Sequence, residues 1–148
     1  MKLLVSDFDR TLYTEDYLTN IKKVNEFVDN GNMLVIATGR NLPYLKEVTD
    51  GLNIKYSYLI CNDGAVIFDK YDNMIFCQNI ETNIVKPILD VLESDNNIEF
   101  ALIRTPVSFT KDYNTIANMI IAKPFDITKA DKTLSLVLEK FPEISGYL

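Results

Sequence analysis

The 148-residue chain reads as an α/β protein: a Rossmann-like parallel sheet covered by helices, followed by a second α+β segment. Three observations predict this fold class. Apolar runs at 2–8, 33–38 and 56–61 alternate with stretches of helical spacing. The runs are nearly continuous rather than alternating, as parallel strands covered on both faces are. Each run ends in small or polar residues: Asp7 and Asp9, Thr38 and Gly39, Asn62 and Gly64. In an open parallel sheet these ends converge on one edge, where such folds bind ligands.

Taken in order, "KLLVSDF" (2–8) predicts a buried strand ending at Asp7. "NIKKVNEFVDNG" follows, with Ile21, Val24, Phe27 and Val28 at helical spacing and Asn30-Gly31 as the stop signal. "MLVIAT" (33–38) is the second strand. Asn41 and Pro43 suit the start of a second helix that turns Leu45 and Val48 inward. "YSYLIC" (56–61) is the third strand. "AVIFDKYDNMIFCQ" (65–78) reads as a hairpin turning at Tyr71-Asp72-Asn73.

Near residue 80 the pattern changes, and we divide the chain there into 1–80 and 81–148. "NIVKPILDVLES" predicts a helix that Pro87 makes irregular, and 98–105 predicts a strand. "NTIANMIIAKPF" fits strand and helix equally, and a helix is expected from about Thr128.

Composition narrows the chemistry. The net charge is −6 and the 15 Lys and Arg are scattered, which argues against nucleic acid or an anionic membrane as partner. The chain has no histidine, which excludes Ser/His and Cys/His catalysis and His-ligated metals. Catalysis would have to rest on carboxylates, hydroxyls, lysine or arginine. Cys61 and Cys77 lie in β-like apolar runs, as buried reduced thiols do. With no leader-like N-terminus and no apolar run of membrane-spanning length, a cytoplasmic location is expected.

In an extended segment Asp7 and Asp9 share one face, with Phe8 opposite. Carboxylates so close repel unless a cation holds both or one keeps its proton. Mg²⁺ suits such a pair, because it prefers oxygen ligands and keeps waters that a phosphate can displace. One carboxylate can then attack phosphorus while the other handles the proton. Thr11 and the loop amides can hold phosphate oxygens, Thr38 adds a hydroxyl, and Gly39 allows close backbone approach. The bland alternative is a solvated turn, which an Asp pair alone would fit equally well. For Asn62-Asp63-Gly64 taken alone, a turn is the stronger reading.

These stretches resemble the haloacid dehalogenase superfamily of phosphohydrolases. "DFDRTL" (7–12) matches its first motif, Asp-x-Asp-x-Thr, and "VIATGR" (35–40) its second. "ICNDGAVIFD" (60–69) is similar to the third-strand segment of the Cof-type branch (subfamily IIB), with Asp63 where that branch usually has Asn. The resemblance implies a Mg²⁺-dependent phosphatase of a small phosphorylated metabolite, either a sugar phosphate or a nucleotide-related compound. It implies Asp7 as nucleophile and metal ligand, and Asp9 as general acid and base with its carbonyl on the metal. Thr11, Thr38, Gly39, Arg40, Asn62 and Gly64 would serve the phosphate and substrate. Residues 1–80 would be the N-terminal part of the family's α/β core, and 81–148 a cap-like α+β segment.

The family's later lysine and acidic motifs have no counterpart here. The resemblance therefore implies a truncated form of a longer enzyme or a short relative, and leaves open whether this chain is active alone. A sheet missing its second half would also expose an edge that favours self-association. Alternatives left open are a phosphomutase of the same superfamily and a non-catalytic phosphate-binding module. A response-regulator receiver with Asp63 as phosphoacceptor is a remote third.

Overall fold

The structure, a computed structural model, describes residues 1–142 and 144. The remaining positions of the segment 81–148 lie outside the described residues. Two compact units divide the chain: Met1–Gln78 with Pro106–Ser108, and Asn79–Thr105 with the residues from Phe109 onward.

The first unit is built on a five-stranded sheet in the order β1-β2-β3-β4-β5. Its strands are β1 (Leu3–Asp7), β2 (Met33–Ala37), β3 (Tyr58–Cys61), β4 (Val66–Asp69) and β5 (Met74–Cys77). β1, β2 and β3 run parallel, whereas β4 and β5 fold back as an antiparallel hairpin. The register pairs Asp7 with Ala37 and Ala37 with Ile60, so the three parallel strands end level with one another. This is the Rossmann-like α/β arrangement that the alternating pattern predicts.

Helix α1 (Tyr17–Asp29) buries Ile21 and Val24. Gly31 adopts φ 77°, the left-handed geometry that ends a helix without Cβ strain. Helix α2 (Leu42–Thr49) starts at Asn41, whose side-chain oxygen accepts from the Tyr44 amide at 3.1 Å. Between helices and sheet lies a core of Phe8, Leu34, Ile36, Leu45, Leu59 and Phe68.

One expectation fails at β1. The apolar run predicts a buried strand, but Leu3 and Val5 are 61% and 55% exposed. β1 lies at the sheet's edge with β2 as its only paired neighbour among the described residues. Hydrophobicity reports that a strand suits burial; it does not supply the second neighbour.

The second unit has a three-stranded antiparallel sheet, order β7-β6-β8, from β6 (Ile98–Arg104), β7 (Phe109–Thr110) and β8 (Met119–Pro124). The ambiguous stretch at 114–125 is thus resolved as a loop followed by a strand. Helices α3 (Thr82–Ser94) and α4 (Ala130–Lys140) bury Val85, Ile88, Leu89 and Val137 in a core with Ala101 and Ile103 of β6. Pro87 sits in the second turn of α3 and leaves the helix continuous, at the cost of one intrahelical bond. Among the described residues, no helix is long and apolar enough to cross a membrane.

Both cysteines are free, Cys61 buried and Cys77 half-buried. Burial, with the negative charge of Asp72, pushes the Cys61 thiol up to about 12. At pH 8, therefore, an aromatic disulfide reagent should titrate one thiol rapidly in the native protein and the second only after unfolding. Equal rates for both would contradict the buried placement. Replacing Ile36 by Ala should lower the urea-unfolding free energy by roughly 2–5 kcal/mol, through lost burial and the cavity left behind.

Candidate active site

The first strand ends in a compact loop. The amides of Leu12 and Tyr13 both bond back to the Phe8 carbonyl, at 3.1 and 2.8 Å. Phe8 is buried and stacks on Tyr13, with ring centres 5.3 Å apart. With Phe8 pinned below the sheet edge, Asp7 stays exposed above it. The Thr11 hydroxyl donates to Asp7 Oδ2 at 3.1 Å, which fixes the carboxylate and leaves Oδ1 unengaged among the described residues.

Asp9 is held quite differently. Arg40 grips it with two parallel bonds, Nε to Oδ2 at 2.9 Å and Nη2 to Oδ1 at 2.8 Å. Charge-assisted forks of this kind fix orientation as well as energy. The hydrogen bond and charge of Asp9 raise the Arg40 pKa further above its ordinary value, against the burial of the guanidinium. Arg40 also donates to the Tyr44 carbonyl at 3.2 Å and lies 5.8 Å from the centre of the Phe8 ring.

Thr38 is buried at the end of β2. Its hydroxyl oxygen accepts from the Arg40 amide at 3.1 Å, and no acceptor among the described residues takes its hydrogen. That hydrogen is available to a bound anion. The turn after β3 carries three successive left-handed residues: Asn62 and Asp63 at φ 51° and Gly64 at φ 100°. Asn, Asp and Gly are the residue types that tolerate this geometry.

Asp7, Thr38, Gly39 and Gly64 line one shallow cleft of about 340 Å³, together with Asp63. Asp9, Thr11, Arg40 and Asn62 lie outside its lining. Thr11 reaches the cleft through Asp7, and Asn62 is buried, its amide bonded to the Arg40 carbonyl at 3.0 Å. The residue missing from the sequence reading of the site is Asp63. Its signal was present: an Asp inside an Asn-Asp-Gly triplet at a strand end is placed by a turn rather than by chance.

Among the described residues, no three Asp, Glu, Cys or His side chains group so as to hold an ion. The donors that remain are hard oxygens, those of the Asp7 carboxylate and the Asp9 carbonyl, which accepts no backbone hydrogen bond among the described residues. Mg²⁺ commonly binds through one or two such protein ligands, with water and phosphate completing its shell. The donor set fits that ion.

A larger groove of about 470 Å³ opens elsewhere in the first unit, lined by Lys46, Lys55 and Tyr56. Two of its three lysines are held in ion pairs, and the third, Lys70, lies over the Tyr71 ring. Lys46 bonds Asp72 and the Tyr56 hydroxyl, both at 2.9 Å, and Lys55 bonds Asp29 at 2.6 Å. Burial opposes the Lys46 charge, but Tyr56 and Asp72 outweigh it and raise its pKa. We read this groove as structural.

Comparison with known proteins identifies the family. The profile of the haloacid dehalogenase-like hydrolases matches residues 4–142. A phosphatase-named protein of Buchnera aphidicola (subsp. Baizongia pistaciae) is 32% identical over 162 residues, covering 94% of this chain and 60% of that protein. The 5-amino-6-(5-phospho-D-ribitylamino)uracil phosphatase YcsE of Bacillus subtilis is 30% identical over 99 residues, 65% of this chain and 39% of its own length. A solved HAD subclass IIB sugar phosphatase superposes with a TM-score of 0.63 at 19% identity, over 96% of this chain and 64% of that one. The chain thus spans less than two thirds of each of these relatives. With three motifs spaced along consecutive strand ends and a profile match over nearly its whole length, the chain belongs to the haloacid dehalogenase-like hydrolases.

Proposed function

We propose that the chain carries the phosphoryl-transfer residues of a Mg²⁺-dependent phosphohydrolase that acts on a small phosphorylated metabolite. The observation that carries this reading is the shared cleft of Asp7, Thr38 and Gly39, with an unengaged carboxylate oxygen on one side and an available hydroxyl hydrogen on the other. Residues 1–80 supply the phosphoryl-binding part of the core, and 81–148 act as a cap-like segment. The named substrate of the Bacillus relative and the sugar phosphatase of like fold support a sugar or nucleotide-related phosphate as substrate.

In this mechanism Asp7 Oδ1 attacks phosphorus and the ester bond breaks on the opposite side. The departing oxygen takes a proton from Asp9, leaving a phosphoryl group on Asp7. A water molecule, giving its proton to Asp9, then attacks that phosphorus, releases phosphate and regenerates the Asp7 carboxylate. Thr38 donates its hydroxyl hydrogen to the transferring group, and Thr11 keeps Asp7 aimed. Asp7 and the Asp9 carbonyl would hold Mg²⁺, which when bound neutralises charge building on the phosphoryl oxygens.

The Arg40 grip adds a condition. Both Asp9 carboxylate oxygens lie on the guanidinium, so proton delivery requires the carboxyl to turn off Arg40. Arg40 therefore sets the resting position from which Asp9 works.

Three outcomes are expected. Titrated with beryllofluoride, an acyl-phosphate mimic, the protein should bind it only when Mg²⁺ is present, and Asp7→Asn should abolish the complex. In p-nitrophenyl phosphate turnover the same substitution should cost roughly 10³-fold or more; retained activity would remove Asp7 as nucleophile. A double-mutant cycle with Asp9→Ala and Arg40→Ala should give a coupling of about 1 kcal/mol in urea unfolding. A larger value is not expected, because these side chains are 43% and 31% exposed and solvent screens the pair.

A further inference from the structure

We propose that the uncovered face of the first unit's sheet is an interface through which two copies of this chain associate. It stands independently of the phosphohydrolase reading above.

Register defines the face. Leu34 and Ile36 of β2, Leu59 and Cys61 of β3 and Phe68 of β4 belong to one buried cluster with Val24 of α1 and Leu45 of α2. Both helices therefore pack on the same side, as right-handed crossovers that step in one direction along a sheet require. Side chains alternate along a strand, so the residues between these point to the opposite face. Two rows cross it in register: Val5, Val35 and Tyr58, then Ile60, Ile67 and Phe76. None of the six belongs to the helix-side cluster. Val5 is 55% exposed, Tyr58 36% and Phe76 46%, at β1, β3 and β5, so the exposure runs from one edge of the sheet to the other. Parallel sheets are normally covered on both faces. Here the second face keeps large apolar side chains in solvent.

Charge and area name the occupant. None of the six residues is charged, and the carboxylates on the same face, Asp7 and Asp69, stand at strand ends on its margin. Two copies thus meet without burying a charge or opposing like charges, although each carries a net −6. An anionic bilayer finds no lysine or arginine among these residues to attract it. The strands are four or five residues long. With neighbours ~4.8 Å apart, the face measures roughly 20 Å by 15 Å. Pleated and studded with side chains, it gives each copy on the order of 500 Å² to bury, close to the lower bound of a specific interface. That size predicts a micromolar dimer rather than a permanent one. A patch that meets its own copy closes at two subunits. The two sheets would then lie about 10 Å apart, face to face.

The test is sedimentation velocity of the full chain from roughly 1 to 200 μM, the span over which a micromolar dimer forms. Wild type should pass from monomer to dimer. A monomer throughout, which would leave the face to some other polypeptide, overturns the proposal. Val5→Lys and Phe76→Lys, at opposite edges of the sheet, should each weaken association roughly 10-fold or more, since each puts a charge into the interface twice over. Leu18→Lys, an exposed position on α1, should leave association unchanged. Loss of the dimer in Val5→Lys with full retention in Phe76→Lys indicates edge pairing through β1 and overturns the face-to-face assignment, as does an equal loss in Leu18→Lys. Hydroxyl-radical footprinting of wild type needs no variant to fold. Labelling of Tyr58 and Phe76 should fall as protein concentration rises, while that of Tyr71 at the hairpin tip stays constant. Constant labelling of Tyr58 and Phe76 in a sample that dimerises also overturns the proposal.

Discussion

Parallel pairing of β1, β2 and β3 is the constraint on which the site depends, and it does not stop where the strands stop. The Thr38 amide bonds the Ile60 carbonyl at 2.9 Å, the Asn62 amide bonds the Arg40 carbonyl at 3.0 Å, and the Asp63 amide bonds the Thr38 carbonyl at 3.3 Å. These bonds carry the ladder into the loops after β2 and β3. Residues that would otherwise sit in mobile connections are held in register with one another, and preorganisation of this kind is what a phosphoryl-transfer site needs. The core beneath supplies the rigidity, since Leu34, Ile36 and Leu59 are essentially inaccessible.

Three carboxylates crowd this edge, and the fold gives each a different environment. Asp7 is exposed and oriented by one hydroxyl. Asp9 is gripped by a guanidinium. Asp63 is left to the cleft. Distinct surroundings allow side chains of one type to take distinct chemical roles. The arrangement also explains why the second motif reads Thr-Gly-Arg as a unit. Threonine faces the cleft, glycine clears room for Asp63, and arginine turns back to hold Asp9.

The fold class and the convergence at the strand ends were legible because both follow from local pattern. Apolar runs mark strands, helical spacing marks the helices between them, and parallel order fixes which ends meet. The Arg40–Asp9 fork was not legible, since its partners stand 31 positions apart and the motif assigned each residue separately. Asp63 was visible as a departure from the family pattern, yet its direction depends on two left-handed residues that only coordinates reveal. The exposure of β1 was misread for a related reason: composition describes a strand's faces, whereas its edge is decided by what pairs beside it.

The β4–β5 hairpin runs from the cleft edge toward the far end of the sheet, and its tip is unusually well anchored. Asp69 accepts from the amides of Tyr71 and Asn73 at 2.8 and 2.9 Å, and Asp72 is bonded to Lys46 and Tyr56. Tyr71, between these anchors, is 73% exposed. A strand's length, roughly 13 Å, separates this tip from the cleft. It offers a rigid attachment point for a fluorescent or paramagnetic probe, one that would follow the tumbling of the unit during titration without entering the ligand's space.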